Sequence, residues 1–222
     1  MNYVLSIAAA AVISYLLGSC NFSIIVVKLL KGEDIRNSGS KNAGLTNTLR
    51  CYGKGCALLT LIGDLGKGVV SVLLSRWVCA LLDGGMSPGN DTHYIGYIAG
   101  FFAIIGHVFP LYYGFRGGKG VLVGVSIFIV VDPVVFVILI AIFSIVLAIS
   151  KYVSLSSITA AVCCPFAAAL AHYFIHGASA TTSIIYGLLA VPMAAMVIWM
   201  HRTNIQRLKN GTENRFSFKS AK

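Results

Sequence analysis

The sequence predicts an all-α integral membrane protein of about seven transmembrane helices, two of them short and forming a hairpin. The N-terminus is expected outside and the C-terminus in the cytoplasm. Three observations carry this. Hydrophobic residues make up 57% of the 222-residue chain and charged residues 11%, where soluble domains average about 25% charged. Apolar runs near the roughly 20 residues needed to cross a bilayer recur along the chain. Fifteen of the seventeen Lys and Arg residues fall in or beside four polar clusters, and the segments Asp83–Asp91, Asp132 and His176–Thr181 hold none. That asymmetry follows the positive-inside rule and assigns the net charge of +10 to a membrane face, not to nucleic acid.

The first span is expected over Tyr3–Val27. No Lys or Arg precedes it, so it reads as a retained span and not as a cleaved leader. Gly18-Ser19-Cys20-Asn21-Phe22-Ser23 interrupts it with small and amide residues, of the kind used either for helix contacts or for one wall of a polar site. The second span is expected from about Gly55 to Leu82. Inside it Asp64 and Lys67 are three residues apart, on one helical face where they can pair. Ionisable groups inside a span are costly and point into a bundle or a wet cavity, so the pair is expected either to brace a site, the favoured reading, or to hold helices together as a structural ion pair.

Asp83–Thr92 reads as an outer turn and His93–Tyr113 as the third span, ending in Gly106-His107-Val108-Phe109-Pro110. Phe115-Arg116-Gly117-Gly118-Lys119-Gly120 looks like a P-loop but lacks the earlier Gly and the final Ser or Thr. Val121–Val131 and Val134–Ile149, split by Asp132-Pro133, read as the hairpin of short helices. Lys151–Ser157 returns the chain to the basic side, and spans over Ile158–Ile175 and Ser183–Met200 lead to a basic tail from His201. The whole chain, 1–222, reads as one membrane domain. Seven crossings place 36–50, 115–120, 151–157 and 201–213 at one face, which points to a composite cationic site for anions.

The stretch 36–50 is central to that site. Gly39 and Gly44 permit tight bends, Ser40, Asn42, Thr46 and Asn47 supply short donors, and Arg36, Lys41 and Arg50 supply charge. Glycine, small donors and cations together make a concavity suited to phosphate. The six cysteines lie mostly in apolar runs, and no CxxC pair or Cys/His cluster has zinc-site spacing, so no metal is expected.

Seven motifs in order then carry a resemblance that spans nearly the whole chain. They are Gly18-Ser19; Asn42-x-Gly44-x-Thr46-Asn47-x-x-Arg50; Asp64-x-x-Lys67-Gly68; Gly106-His107-x-Phe109-Pro110; Phe115-x-Gly117-Gly118-Lys119-Gly120-Val121; Ser154-Leu155-x-Ser157; and His201-x-x-Asn204-Ile205-x-Arg207-Leu208-x-x-Gly211-x-Glu213. The sequence resembles the multi-pass bacterial membrane glycerol-3-phosphate acyltransferases that use acyl phosphate as donor. It departs at Leu45, at Cys20-Asn21 and after Val121, changes that bear on packing beside the site.

The resemblance implies acyl transfer from acyl phosphate to the sn-1 hydroxyl of glycerol 3-phosphate, giving lysophosphatidic acid and phosphate, with no cofactor. It implies the bacterial cytoplasmic membrane, an active site facing the cytoplasm, and a functional link to the soluble enzyme that makes acyl phosphate. In site roles, Ser40, Asn42, Gly44, Thr46 and Asn47 are expected to bind acyl phosphate. Arg50, Lys119 and either Ser154 or Ser157 are expected on the glycerol 3-phosphate phosphate. His201 and Asn204 orient the accepting hydroxyl, with Asp64, Lys67, His107, Gly117, Gly118 and Arg207 in support. No histidine has Asp five residues later, which argues against the acyltransferases built on H-x-x-x-x-D. A small-anion transporter is the rival reading, opposed by the failure of the motifs before Pro110 to recur after Val121.

Overall fold

The computed structural model describes residues 3–82 and 93–216; the expected outer turn at 83–92 lies outside the described residues. All regular structure among them is helical: α1 (Tyr3–Ser19), α2 (Phe22–Lys31), α3 (Leu45–Leu82), α4 (His93–Val108), α5 (Val121–Val131), α6 (Pro133–Ser150), α7 (Val153–Phe174), α8 (Ala180–Met200) and α9 (Arg202–Lys209), with short 3₁₀ turns at Ile35–Asn37 and Leu111–Tyr113. Six segments are long and apolar enough to cross a membrane: Val4–Lys31, Leu45–Leu82, Tyr94–Tyr113, Pro133–Ser150, Val153–Phe174 and Ala180–Met200. Large apolar side chains such as Leu58, Ile62, Val137, Ile145, Phe166 and Leu188 are exposed on them, as a lipid-facing surface requires.

Three boundaries differ from the sequence reading. The first span breaks at Cys20-Asn21, where Asn21 caps α2 by accepting from the Ile24 N–H. α3 starts at Leu45 because it is two helices joined across a kink at Gly53, whose backbone is non-helical (φ 80°, ψ −175°); the longer arm follows the kink, close to the expected Gly55. The motif ending at Arg50 therefore occupies the first turns of a helix. Of the two helices expected to be short, only α5 is, at 11 residues, or about 17 Å. α6 runs for 18, started by the Asp132 cap with Pro133 at its first position and ended by Lys151 in the left-handed region.

The chain divides between Val131 and Asp132 into two compact units, with α5 in the first and α6 in the second. In the first, α1 packs on α3 and α4, α2 on α3, and α5 on α3 and α4. A Cβ on Gly18 would strike the Ala103 backbone, and one on Gly106 the backbone of Tyr15 and Gly18. Small residues thus set the α1–α4 approach, the usual means of close helix packing in lipid. Ser14 and Ser75 (3.0 Å) and the Cys79 thiol to the Ser6 carbonyl (3.2 Å) join α1 to α3. Tyr97 of α4 meets Phe128 of α5 edge to face at 5.8 Å. In the second unit α7 packs against both α6 and α8, and α9 rests on α7 and α8. All six cysteines are free thiols.

Gly18→Val should lower the thermal midpoint of the detergent-solubilised protein, at a cost of about 1–3 kcal/mol for overpacking. Gly66→Ala, where nothing lies within 4 Å of the added carbon, should not. Equal midpoints for Gly18→Val and the parent would refute the close crossing.

Candidate functional site

In the first unit the polar loop between α2 and α3 rests on a small apolar cluster of Ile24, Val27, Ile35 and Ala43, with Tyr52 and Tyr113 against it. Arg36 clamps this loop to the one after α4. Its guanidinium bonds both Asp34 oxygens (2.7–3.1 Å) and donates to the carbonyls of Tyr113 (2.6 Å) and Arg116 (3.2 Å). That hydrogen bond holds the Asp34 carboxyl below its ordinary range, against the smaller effect of burial. Arg36 is therefore committed to structure.

Asn47 shapes the loop from inside. Its amide oxygen accepts from the Ser40 N–H (3.0 Å), and its amide nitrogen donates toward the carbonyls of Ser38 (3.0 Å), Asn42 (3.1 Å) and Ile35 (3.4 Å). Expected on the substrate, Asn47 is buried and holds the backbone around it. Gly39 (φ 55°) lies where a side chain would collide with Asn47 and Cys51. Gly44 accepts the first helical bonds of α3 from Asn47 and Thr48. Asn42, Gly44 and Thr46 thus surround a helix N-terminus, whose first N–H groups have no partner inside the helix and favour anions. Ser40 and Arg50 are exposed, while Asn42, Gly44 and Thr46 are partly buried.

Gly117 and Gly118 bring the second polar loop against the first. Their N–H groups donate to the carbonyls of Val108 and His107, both at 3.1 Å. A side chain at Gly117 would strike the His107 carbonyl, and one at Gly118 the Ala43 carbonyl and the His107 ring. Lys119, partly buried, follows directly, and Gly120 (φ 78°) turns the chain into α5. The residues 36–50 and 115–120 thus meet within one unit, as the sequence anticipates.

Beneath them Asp64 and Lys67 pair at 2.8 Å. The Lys67 ammonium also donates to the Cys20 carbonyl and to His107 Nδ1, both at 2.9 Å. An ammonium donor at Nδ1 assigns the neutral His107 ring its proton on Nε2. Asn21, at the helix break, reaches the Ala43 carbonyl (3.4 Å). In the polar interruption of the first span Gly18 makes a helix contact and Asn21 supports the loop.

In the second unit Ser154, Asn204 and Arg207 converge on one carboxylate to which the sequence reading assigned no role. Glu213 Oε1 accepts from Ser154 Oγ (3.0 Å) and Asn204 Nδ2 (2.7 Å), and Oε2 from Arg207 Nε (2.6 Å). Its only sequence signal is its place in the tail motif. Ser154 therefore bonds a carboxylate in this arrangement, while Ser157 donates to its own helix at Val153 (2.8 Å). His201, buried between α8 and α9, has Nδ1 2.7 Å from the Val197 carbonyl. A proton donated there makes Nε2 the basic nitrogen of the ring.

Burial raises the Glu213 pKa, but the bonds from Asn204, Arg207 and Ser154 and the charge of Arg207 outweigh it, leaving it below the ordinary 4.5. A carboxylate depressed on folding stabilises fully above its unfolded pKa, and that stability is lost as pH falls through the lower folded value. Glu213→Gln should lower the thermal midpoint near neutrality and flatten its fall below about pH 4.5. An unchanged midpoint–pH profile would contradict this account.

A model of the family described as glycerol-3-phosphate acyltransferase matches residues 8–211, across both units. A glycerol-3-phosphate acyltransferase of Shouchella clausii is 43% identical over 220 residues, covering 98% of this chain and 100% of its own. One from Clostridioides difficile is 41% identical over 209 residues, covering 94% and 95%. Among solved structures, PlsY, an integral membrane glycerol 3-phosphate acyltransferase, superposes in its glycerol 3-phosphate form with a TM-score of 0.75 at 30% identity, covering 96% of each chain. Its lysophosphatidic acid form gives 0.73 at 28%. With both units matched at these identities, this all-helical, multi-pass integral membrane chain belongs to the glycerol-3-phosphate acyltransferase family.

Proposed function

We propose that this chain acylates glycerol 3-phosphate, taking the acyl group from acyl phosphate and placing it on the sn-1 hydroxyl. The acylation of glycerol 3-phosphate is supported by the names of the relatives and by a solved relative in glycerol 3-phosphate and lysophosphatidic acid forms. The observation that carries the reading is the meeting of the α3 N-terminus with the Gly117-Gly118-Lys119 turn. That arrangement offers backbone N–H groups and a cation to phosphate.

The chemistry needs little beyond positioning and charge. Acyl phosphate is a mixed anhydride and already activated. The hydroxyl oxygen attacks the acyl carbon, the bond from that carbon to the phosphate oxygen breaks, and phosphate leaves with its charge stabilised. Ser40, Asn42, Gly44 and Thr46 hold the donor phosphate, with Asn47 keeping the loop in shape. Arg50 and Lys119 bind the acceptor phosphate. Ser154 joins them by exchanging its bond to Glu213; Ser157 is the other serine for this role. His201 Nε2 takes the hydroxyl proton or orients the hydroxyl while a substrate phosphate takes it, and Asn204 steadies the same group through its amide oxygen. Asp64, Lys67, His107, Gly117 and Gly118 fix the phosphate loops, and Arg207 acts through Glu213.

The two units work as one acyltransferase domain, supported by the family match across both. The cation asymmetry supports a site facing the cytoplasm of a bacterial inner membrane, near the soluble enzyme that makes acyl phosphate. An outer N-terminus with a cytoplasmic C-terminus requires the short α5 to count as a crossing.

Purified protein should convert radiolabelled glycerol 3-phosphate and acyl phosphate to lysophosphatidic acid and phosphate. In the same assay Lys119→Ala should raise the KM for glycerol 3-phosphate by about 10–150-fold, as for loss of a charge-assisted bond of about 1.5–3 kcal/mol, and affect the donor KM less. Product formed from acyl-CoA but not acyl phosphate would refute the donor, and an unchanged acceptor KM would remove Lys119 from this role.

A further inference from the structure

In the second unit Asp132, His172 and His176 form a further cluster of ligand-type side chains, apart from that unit's own residues assigned to acyl transfer. They sit where α6 begins and α7 ends. Ser154 lies at the opposite end of this helix pair, the 18-residue length of α6 away, or about 27 Å. Asp132 divides its carboxylate between two tasks. Oδ1 caps α6, accepting from the N–H groups of Val134 (3.1 Å) and Val135 (3.3 Å). Oδ2 faces both imidazoles, 3.4 Å from His172 Nδ1 and 3.1 Å from His176 Nε2.

We propose that these three residues bind a divalent first-row metal ion, with zinc as the fitting probe. Imidazole and carboxylate are its common ligands, and bonds of about 2.0–2.2 Å in a tetrahedron separate ligand atoms by roughly 3.3–3.5 Å. One measured separation, 3.4 Å, falls in that range and the other, 3.1 Å, just below it, and all three ligand atoms lie within 4.8 Å of one another. The histidines are four residues apart, His172 in the last turn of α7 and His176 two residues past its end, where the chain turns it toward the same carboxylate.

The donors are also held in place. The cap fixes Asp132, and the His172 ring lies on Tyr186 with centroids 4.1 Å apart. Left-handed Gly177 ends the helix while the His176 and Ala178 N–H groups donate to Ala171 and His172. His172 Nδ1 is 3.2 Å from the Ala168 carbonyl. Ligation there requires the ring proton on Nε2, and the ion replaces that contact. The His176 side chain is 43% exposed, which gives an ion access and leaves the fourth position to water. The ion would clip the start of α6 to the end of α7.

The test uses the full chain in detergent, purified without a polyhistidine tag, stripped with EDTA and titrated with zinc. It should bind about one zinc per chain, and zinc should raise the thermal midpoint reversibly. His176→Ala, and Asp132→Asn, which keeps a capping oxygen, should each weaken binding by at least about 100-fold, beyond the 10–100-fold lost when outer-shell partners change. His176→Ala should leave acyl transfer unchanged. Absence of saturable zinc binding in the parent, or undiminished binding in either variant, would overturn the site and leave an Asp–His ion pair.

Discussion

Both polar loops of the first unit depend on one buried cation. Lys67 has three donors, and they are spent on Asp64, on the Cys20 carbonyl where the first span breaks, and on His107 near the end of α4. Each partner belongs to a different part of the unit. Inside a membrane such a charge survives only when fully matched, and this match draws the break after α1, the middle of α3 and the end of α4 to a point. The break carries Asn21, which reaches Ala43 of the first loop. The end of α4 carries the carbonyls that receive Gly117 and Gly118. The surface where the two polar loops meet, proposed to bind phosphate, is thus the outer consequence of an inner charge balance.

The second unit uses the opposite sign to the same end. Glu213 is an anion gathering a hydroxyl, an amide and a guanidinium from α7 and α9. It fixes Asn204 by its amide nitrogen. It also ties the tail beyond α9 to the start of α7. In each unit a buried or half-buried ionic node lies directly beneath the polar residues proposed to meet substrate, so their geometry is set before substrate arrives.

The helices were legible because lipid imposes length and apolarity on every span, and the glycine and serine motifs because they recur in a known family. The short helix before Gly53 was not, because it lies in a polar stretch with the composition of a loop, and the chain does kink at Gly53 before the long apolar arm begins. α6 read as short because its capping signals, Asp132-Pro133 and Lys151, extend it at both ends. Long-range pairing was hidden altogether: Glu213 meets Ser154 from 59 residues away, and Lys67 meets His107 from 40. Spacing along the chain carries no trace of such contacts. For the same reason local cysteine and histidine spacing gave no sign that Asp132 meets His176 from 44 residues away.

The most direct measurement is equilibrium binding of radiolabelled glycerol 3-phosphate to Lys67→Met, with its thermal midpoint. The variant leaves Asp64 buried and unpaired, a cost of about 3–5 kcal/mol, so the midpoint should drop and binding should be lost. Adding Asp64→Asn removes the stranded charge and should recover much of the midpoint. Binding should stay weak, because the Cys20 and His107 contacts are still missing. Lys67→Met with the parent's midpoint and affinity would contradict the account.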